Sequence, residues 1–181
     1  MQAYADNVVE EIHVGSPRGP LTDWVIKKVH FHEFEELTTE RDDEVRSPDF
    51  SCFGHQWTVV IYPGGEEDSK EGYVAVFLYN RSPESIKAIC KIMLKHQTDP
   101  SQRSIQCGRG DKILNFAAVW NNACGKGTLD FVKRETMLTY LNNGTLTLEI
   151  HLRTYRQDKP TSFIPSNPIC NNILKGFNDE E

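Results

Sequence analysis

Residues 47–65, SPDFSCFGHQWTVVIYPGG, constrain the fold more than any other stretch of the chain. Pro48 has no N–H to give to a sheet ladder, so it belongs at the start or edge of a strand, which Phe50 continues. Gly54 marks a turn or a bulge. From Gln56 to Tyr62 the side chains alternate. Trp57, Val59 and Ile61 share one face, and Thr58, Val60 and Tyr62 the other. Pro63, Gly64 and Gly65 then end the strand by removing a donor and permitting positive φ. The stretch reads as a β-hairpin, and Trp57, its largest apolar side chain, is expected to anchor a core.

Strand patterns recur along the chain. Residues 1–21 form an N-terminal segment, read either as a ragged edge strand or as disorder. Residues 22–34 read as a strand, with Trp24, Ile26, Lys28, His30 and His32 on one parity. Neither parity is uniformly apolar, so a bulge or twist is expected. Residues 35–46 are a charged loop. Residues 72–80, GYVAVFLYN, are apolar on both parities, which points to a central strand whose second face is covered or used. Residues 85–96 fit either a helical stripe or an alternating strand by period alone. Residues 97–110 suit a loop with room for a short strand, 112–120 a short strand with Leu114 and Phe116 on one face, and 121–128 a loop. Residues 129–138 are the best helix candidate, through Phe131, Arg134, Glu135 and Leu138. Asn142, Asn143 and Gly144 are a strong turn signal. Residues 145–155 alternate cleanly, with Leu146, Leu148, Ile150 and Leu152 on one face, as expected of an outer or edge strand. Short strands, intervening turns and one short helix near 130–138 predict an all-β fold, an antiparallel β-sandwich of about seven or eight strands.

The 181 residues suffice for one domain with a core, and 38% hydrophobic with 25% charged residues is a globular composition. No apolar run approaches the roughly 20 residues that span a bilayer, and the first residues lack the pattern of a signal peptide. A net charge of −6 with scattered Lys and Arg argues against nucleic acid. Five cysteines without a C-x-x-C fit neither a disulfide framework nor a zinc site, and suit a reducing compartment, cytoplasmic or nuclear. Cys90 is expected to be a small buried hydrophobe.

No catalytic grouping stands out. His30, His32, Cys52 and His55 could be imagined as metal ligands, but surface histidines and a buried thiol are the simpler reading. Cys124 lies in no recognisable nucleophile pattern. No Gly-rich phosphate cradle follows a strand. No cofactor, metal or catalytic residue is therefore assigned, and the chain is expected not to be an enzyme.

The Ser-Pro-x-Phe strand, the Gly, the aromatic-led strand and the Tyr-Pro-x-Gly-like turn occur here in the order of the MATH (meprin and TRAF homology) family, which the chain resembles over about residues 22–155. The resemblance implies a TRAF-like form of the sandwich, resolves residues 85–96 as a strand, and bounds a MATH domain at 22–157. Among members, the chain is most similar to MATH-BTB adaptors, in which a groove on one sheet receives an extended peptide. Phe77 falls at an aromatic groove position of those adaptors. Cys90 stands where they carry Phe, Leu114 where they carry Tyr, and Phe116 where they also carry Phe. Cys124 matches a Trp before a Gly, here Gly125, and Lys126 follows in place of another Phe. Trp120 could supply the missing ring. The lost aromatics imply a recognition motif different from the Ser/Thr-rich one of the adaptors.

Residues 158–181 match a linker and short apolar segment that in such adaptors leads to a BTB domain, through which a cullin-type ubiquitin ligase scaffold would be bound. The resemblance thus implies a non-catalytic peptide-recognition domain selecting substrates for ubiquitination. The alternatives are a targeting domain of a larger enzyme such as a deubiquitinating protease, or a TRAF-like signalling scaffold.

Overall fold

A computed structural model describes residues 19–108, 111–119 and 125–156. The N-terminal segment before residue 19, the tail at 158–181, Trp120 and Cys124 lie outside these. Ten strands and one α-helix run in the order β1 (Val25–Phe31), β2 (Val45–Arg46), β3 (Phe50–Cys52), β4 (His55–Tyr62), β5 (Tyr73–Asn80), β6 (Ile86–Leu94), β7 (Ile105–Cys107), β8 (Leu114–Phe116), β9 (Lys126–Lys133), α1 (Arg134–Leu138) and β10 (Leu146–Thr154). They form two five-stranded antiparallel sheets. The first has the order β1-β10-β6-β7, with β8 pairing the same edge of β6. The second has the order β2-β4-β5-β9, with β3 also pairing β4. The sandwich has more strands than expected because β2, β3, β7 and β8 are two or three residues long.

Hairpin chemistry sets the register. Phe53 and Gly54 have φ of 52° and 74°, the two positive values of a primed turn, and Cys52 pairs directly with His55 across it. Asn143 and Gly144 repeat this at 50° and 73°, closing Asn142 on Thr145. The Ser-Pro pair has a physical reason as well. Ser47 donates its N–H to the Val59 carbonyl at 2.9 Å, and its hydroxyl accepts the Val59 N–H at 3.0 Å. The serine side chain thus acts as a ladder partner just where Pro48 interrupts the strand. Ser47→Ala strands the buried Val59 N–H and is expected to cost about 1–3 kcal/mol, read as a lower urea midpoint at unchanged slope.

Trp57, Val59 and Ile61 of β4 are fully buried between the sheets, facing Leu148, Ile150 and Leu152 of β10 and Ile92 and Leu94 of β6 in one cluster. The Trp57 indole N–H donates to the Cys52 carbonyl at 3.0 Å. Its ring meets Phe116 edge-on, 4.9 Å between centroids. The expected anchor is therefore the centre of the core.

Three expectations need correction. β1 pairs with β10 in unbroken register from Val25↔Leu152 to Phe31↔Leu146, so it carries no bulge. Its mixed parity arises because the outward side is polar and Lys27 sits inward near the rim. β6 (Ile86–Leu94) is the strand that the resemblance implied for residues 85–96. β10 is not an edge strand but lies between β1 and β6. The helix occupies only Arg134–Leu138, while residues 129–133 continue β9, as do 126–128, which had been read as a loop. There β9 pairs with β5 across a bulge between Val74 and Val76, a non-local partner that side-chain spacing does not reveal.

α1 begins with Arg134. Its guanidinium donates to the carbonyls of Pro63, Phe34, Glu35 and Leu37 at 3.1–3.4 Å, and lies 5.1 Å from the centre of the fully buried Phe34 ring. One cation thus joins the turn after β4, the short 3-10 turn at Phe34–Glu36 and the helix.

Candidate functional site

The rim where β7 and β8 of the first sheet meet β9 of the second is open. Among the described residues β9 pairs only with β5, so its outer edge is unpaired. Beside it lies a cleft of about 440 Å³ lined by Cys90, Gln106, Cys107, Gly108, Lys112, Leu114, Gly127, Thr128, Asp130 and Phe131. A smaller recess of about 50 Å³ continues it between Cys90, Leu114, Cys107 and Lys126. Burial pushes both thiols up, Cys107 to about 11, and the neighbouring Cys107 raises Cys90 further. At neutral pH they are apolar lining rather than nucleophiles. Asp130 is already committed to Lys70, accepting from its backbone N–H at 2.7 Å and pairing with Nζ at 3.1 Å.

On the other side of β9, the outward face of the second sheet carries an aromatic patch. Val60 and Ala75 are fully buried at its base. Phe77 stands edge-on to Tyr62, 6.1 Å between centroids, with Tyr79 on the same face. The Tyr62 hydroxyl donates to Glu44 at 3.1 Å, and Glu44 also accepts from the Arg46 guanidinium. Gly127 pairs with Phe77. A Cβ on Gly125 would stand 2.5 Å from the Tyr79 ring and 2.9 Å from the Phe77 Cβ, and one on Gly127 would stand 1.9 Å from the Val76 carbonyl oxygen. The glycines let β9 lie flush against β5 and leave that flank of Phe77 bare.

The residues expected to form a groove fall into three groups. Cys90, Leu114 and Lys126 come together at the cleft. Phe77 and Gly125 meet on the aromatic side of β9. Phe116 joins neither group. Its ring is 1% exposed and packs on Trp57, so it is a core residue. Trp120 and Cys124 lie outside the described residues. Sequence reasoning missed Gly127, Cys107 and Gln106 as lining residues. The Gly-x-Gly spacing at 125–127 was the available signal, since it seats a strand against a neighbour's backbone.

His30 and His32 are on the outward face of β1, bonded to Thr147 and Thr145 at 3.0 and 3.1 Å, whereas Cys52 and His55 belong to the other sheet. Among the described residues no group of three or more His, Cys, Asp or Glu is placed to hold a metal.

The described residues thus form a two-sheet antiparallel sandwich with an unpaired edge strand, a shallow cleft and an aromatic patch. The sequence pattern that defines the MATH domain matches residues 26–152, and the chain belongs to the MATH domain family. MATH domains are generally non-catalytic protein-interaction modules. TRAF5 of Notothenia coriiceps is a similar solved structure, with a TM-score of 0.49 and 10% identity over 71% of this chain and 72% of that one. No curated protein is significantly similar in sequence.

Proposed function

We propose that the domain binds an extended peptide segment of a protein partner along the free edge of β9. The partner's alternate side chains enter the cleft at Cys90, Leu114 and Lys126 on one side and rest on Phe77 and Gly125 on the other. The observation that carries this reading is the edge of β9, unpaired among the described residues, with a cleft on one flank and an aromatic patch on the other. A strand edge supplies main-chain hydrogen bonds, and flanking pockets supply selectivity at every second residue. Small lining residues at Cys90 and Leu114 suit bulkier partner side chains than a ring-lined groove would admit.

The wider role in this proposal is substrate selection for a cullin-type ubiquitin ligase, inside the cell, with the scaffold reached through a BTB domain. It is supported by the likeness of the hairpin and of residues 158–181 to MATH-BTB adaptors. A peptide array probed with the chain should yield a set sharing one motif. Phe77→Ala and Leu114→Arg should each weaken capture of the best peptide about tenfold, at unchanged circular dichroism. Unchanged capture by both variants would move the site off β9.

A further inference from the structure

The outward side of the first sheet has the opposite charge to the chain as a whole. Alternation places Lys87, Lys91 and Lys95 of the β6 segment there, with Arg153, His151 and Glu149 of β10 and Lys28, His30 and Ile26 of β1. Five cations and three histidines, counting His32, face solvent beside two carboxylates, Glu149 and Asp111, in a chain with 20 Lys and Arg against 26 Asp and Glu. Both carboxylates are engaged. Glu149 is held by Lys95 at 2.7 Å, His151 at 3.0 Å and Lys28 at 3.7 Å, and Asp111 pairs with Arg153. Lys87 and Lys91 have no carboxylate partner among the described residues. Trp24 also lies on this side, with the Lys91 ammonium 4.7 Å and the Arg153 guanidinium 4.4 Å from its ring centre. Ile26, 51% exposed, is the one large hydrophobic side chain left exposed among the described residues.

We propose that this face is a second protein-binding surface, on the opposite side of the sandwich from Phe77, and that its occupant is an extended acidic segment of a partner protein. Charge complementarity selects the occupant: Lys87, Lys91 and Arg153 carry like charges that repel one another less once an anion lies between them. The spacing fits an extended chain. Ile26, Lys28, His30 and His32 project at every second residue, about 7 Å apart, the repeat at which carboxylates recur on a strand. Trp and Arg are moreover among the residue types enriched where interface energy concentrates.

The test uses the full chain and a fluorescein-labelled peptide of alternating glutamate and threonine, followed by anisotropy. Saturable binding is expected, falling about tenfold as salt rises from about 50 to about 300 mM, with none for the lysine–threonine counterpart. Lys87→Glu with Lys91→Glu should lose about tenfold in affinity, and the exposed Lys87→Glu alone about threefold, should the pair perturb folding. Arg81→Glu, a reversal in the connection after β5, should bind as the parent does. Absence of saturable binding overturns the proposal. So does parent-like binding by Lys87→Glu, or capture of phosphatidylserine vesicles without capture of the peptide.

Discussion

Trp57→Ala is expected to destabilise the domain by about 3–5 kcal/mol, a large part of the roughly 5–15 kcal/mol that folded domains possess. The indole is fully buried, so its whole apolar surface is lost from the core. The Phe116 ring loses its edge-on partner, and the Cys52 carbonyl loses the only indole donor it has. The surrounding strands belong to two sheets and cannot both collapse into the space. Urea unfolding followed by circular dichroism should show a lower midpoint at unchanged slope, in proportion to that loss. Trp57→Phe, which keeps a ring, should lose about 1–3 kcal/mol. A loss below about 1 kcal/mol for the alanine variant would mean that the core is centred elsewhere.

Gly127→Ala is expected to be nearly as damaging, by about 3 kcal/mol, although it adds a single methyl group. The methyl would lie 1.9 Å from the Val76 carbonyl oxygen and 2.7 Å from the Phe77 Cα. Both obstacles are main chain, so no rotamer change relieves them, and β9 must part from β5. Hydrogen exchange should show the β9 amides losing protection, and peptide capture at the β9 edge should disappear with it. Gly54→Ala is the contrast. Its added methyl meets nothing within 4 Å, and the only cost is a left-handed φ of 74°, about 1–2 kcal/mol. If Gly127→Ala behaved like Gly54→Ala, the close approach of β9 to β5 would be wrong.

What could be read in advance was whatever a strand declares locally. The alternation around Trp57 gave the hairpin and its buried face, and Asn143-Gly144 gave the turn before β10. The double-apolar run ending at Tyr79 gave a central strand, and its outer face carries an aromatic cluster. What could not be read depends on partners distant in the chain. Leu114 and Phe116 do share a face, but alternation cannot say which side of the sheet it is. Phe116 lies at the middle, over Trp57, and Leu114 at the rim, so only one of them reaches the cleft. Phe131 and Leu138 happen to be spaced as on a helix, yet the first belongs to a strand held by β5. Strands of two or three residues are too short to show any period. The polar parity of β1, taken as a sign of irregularity, is the cationic face of the first sheet.

Arg134 holds its neighbours entirely through carbonyl oxygens, and every residue type has one. The exposed side chains of the loops it gathers can therefore change while the path is kept, provided the arginine, the ring beneath it, Leu37 and Gly64, whose Cβ would stand 2.4 Å from the Thr39 and Glu40 carbonyl oxygens, stay. The exposed Glu35 and Glu36 are thus natural places for new side chains, and a lysine at position 134, with a single ammonium in place of a planar fork, would let the gathered loops drift apart.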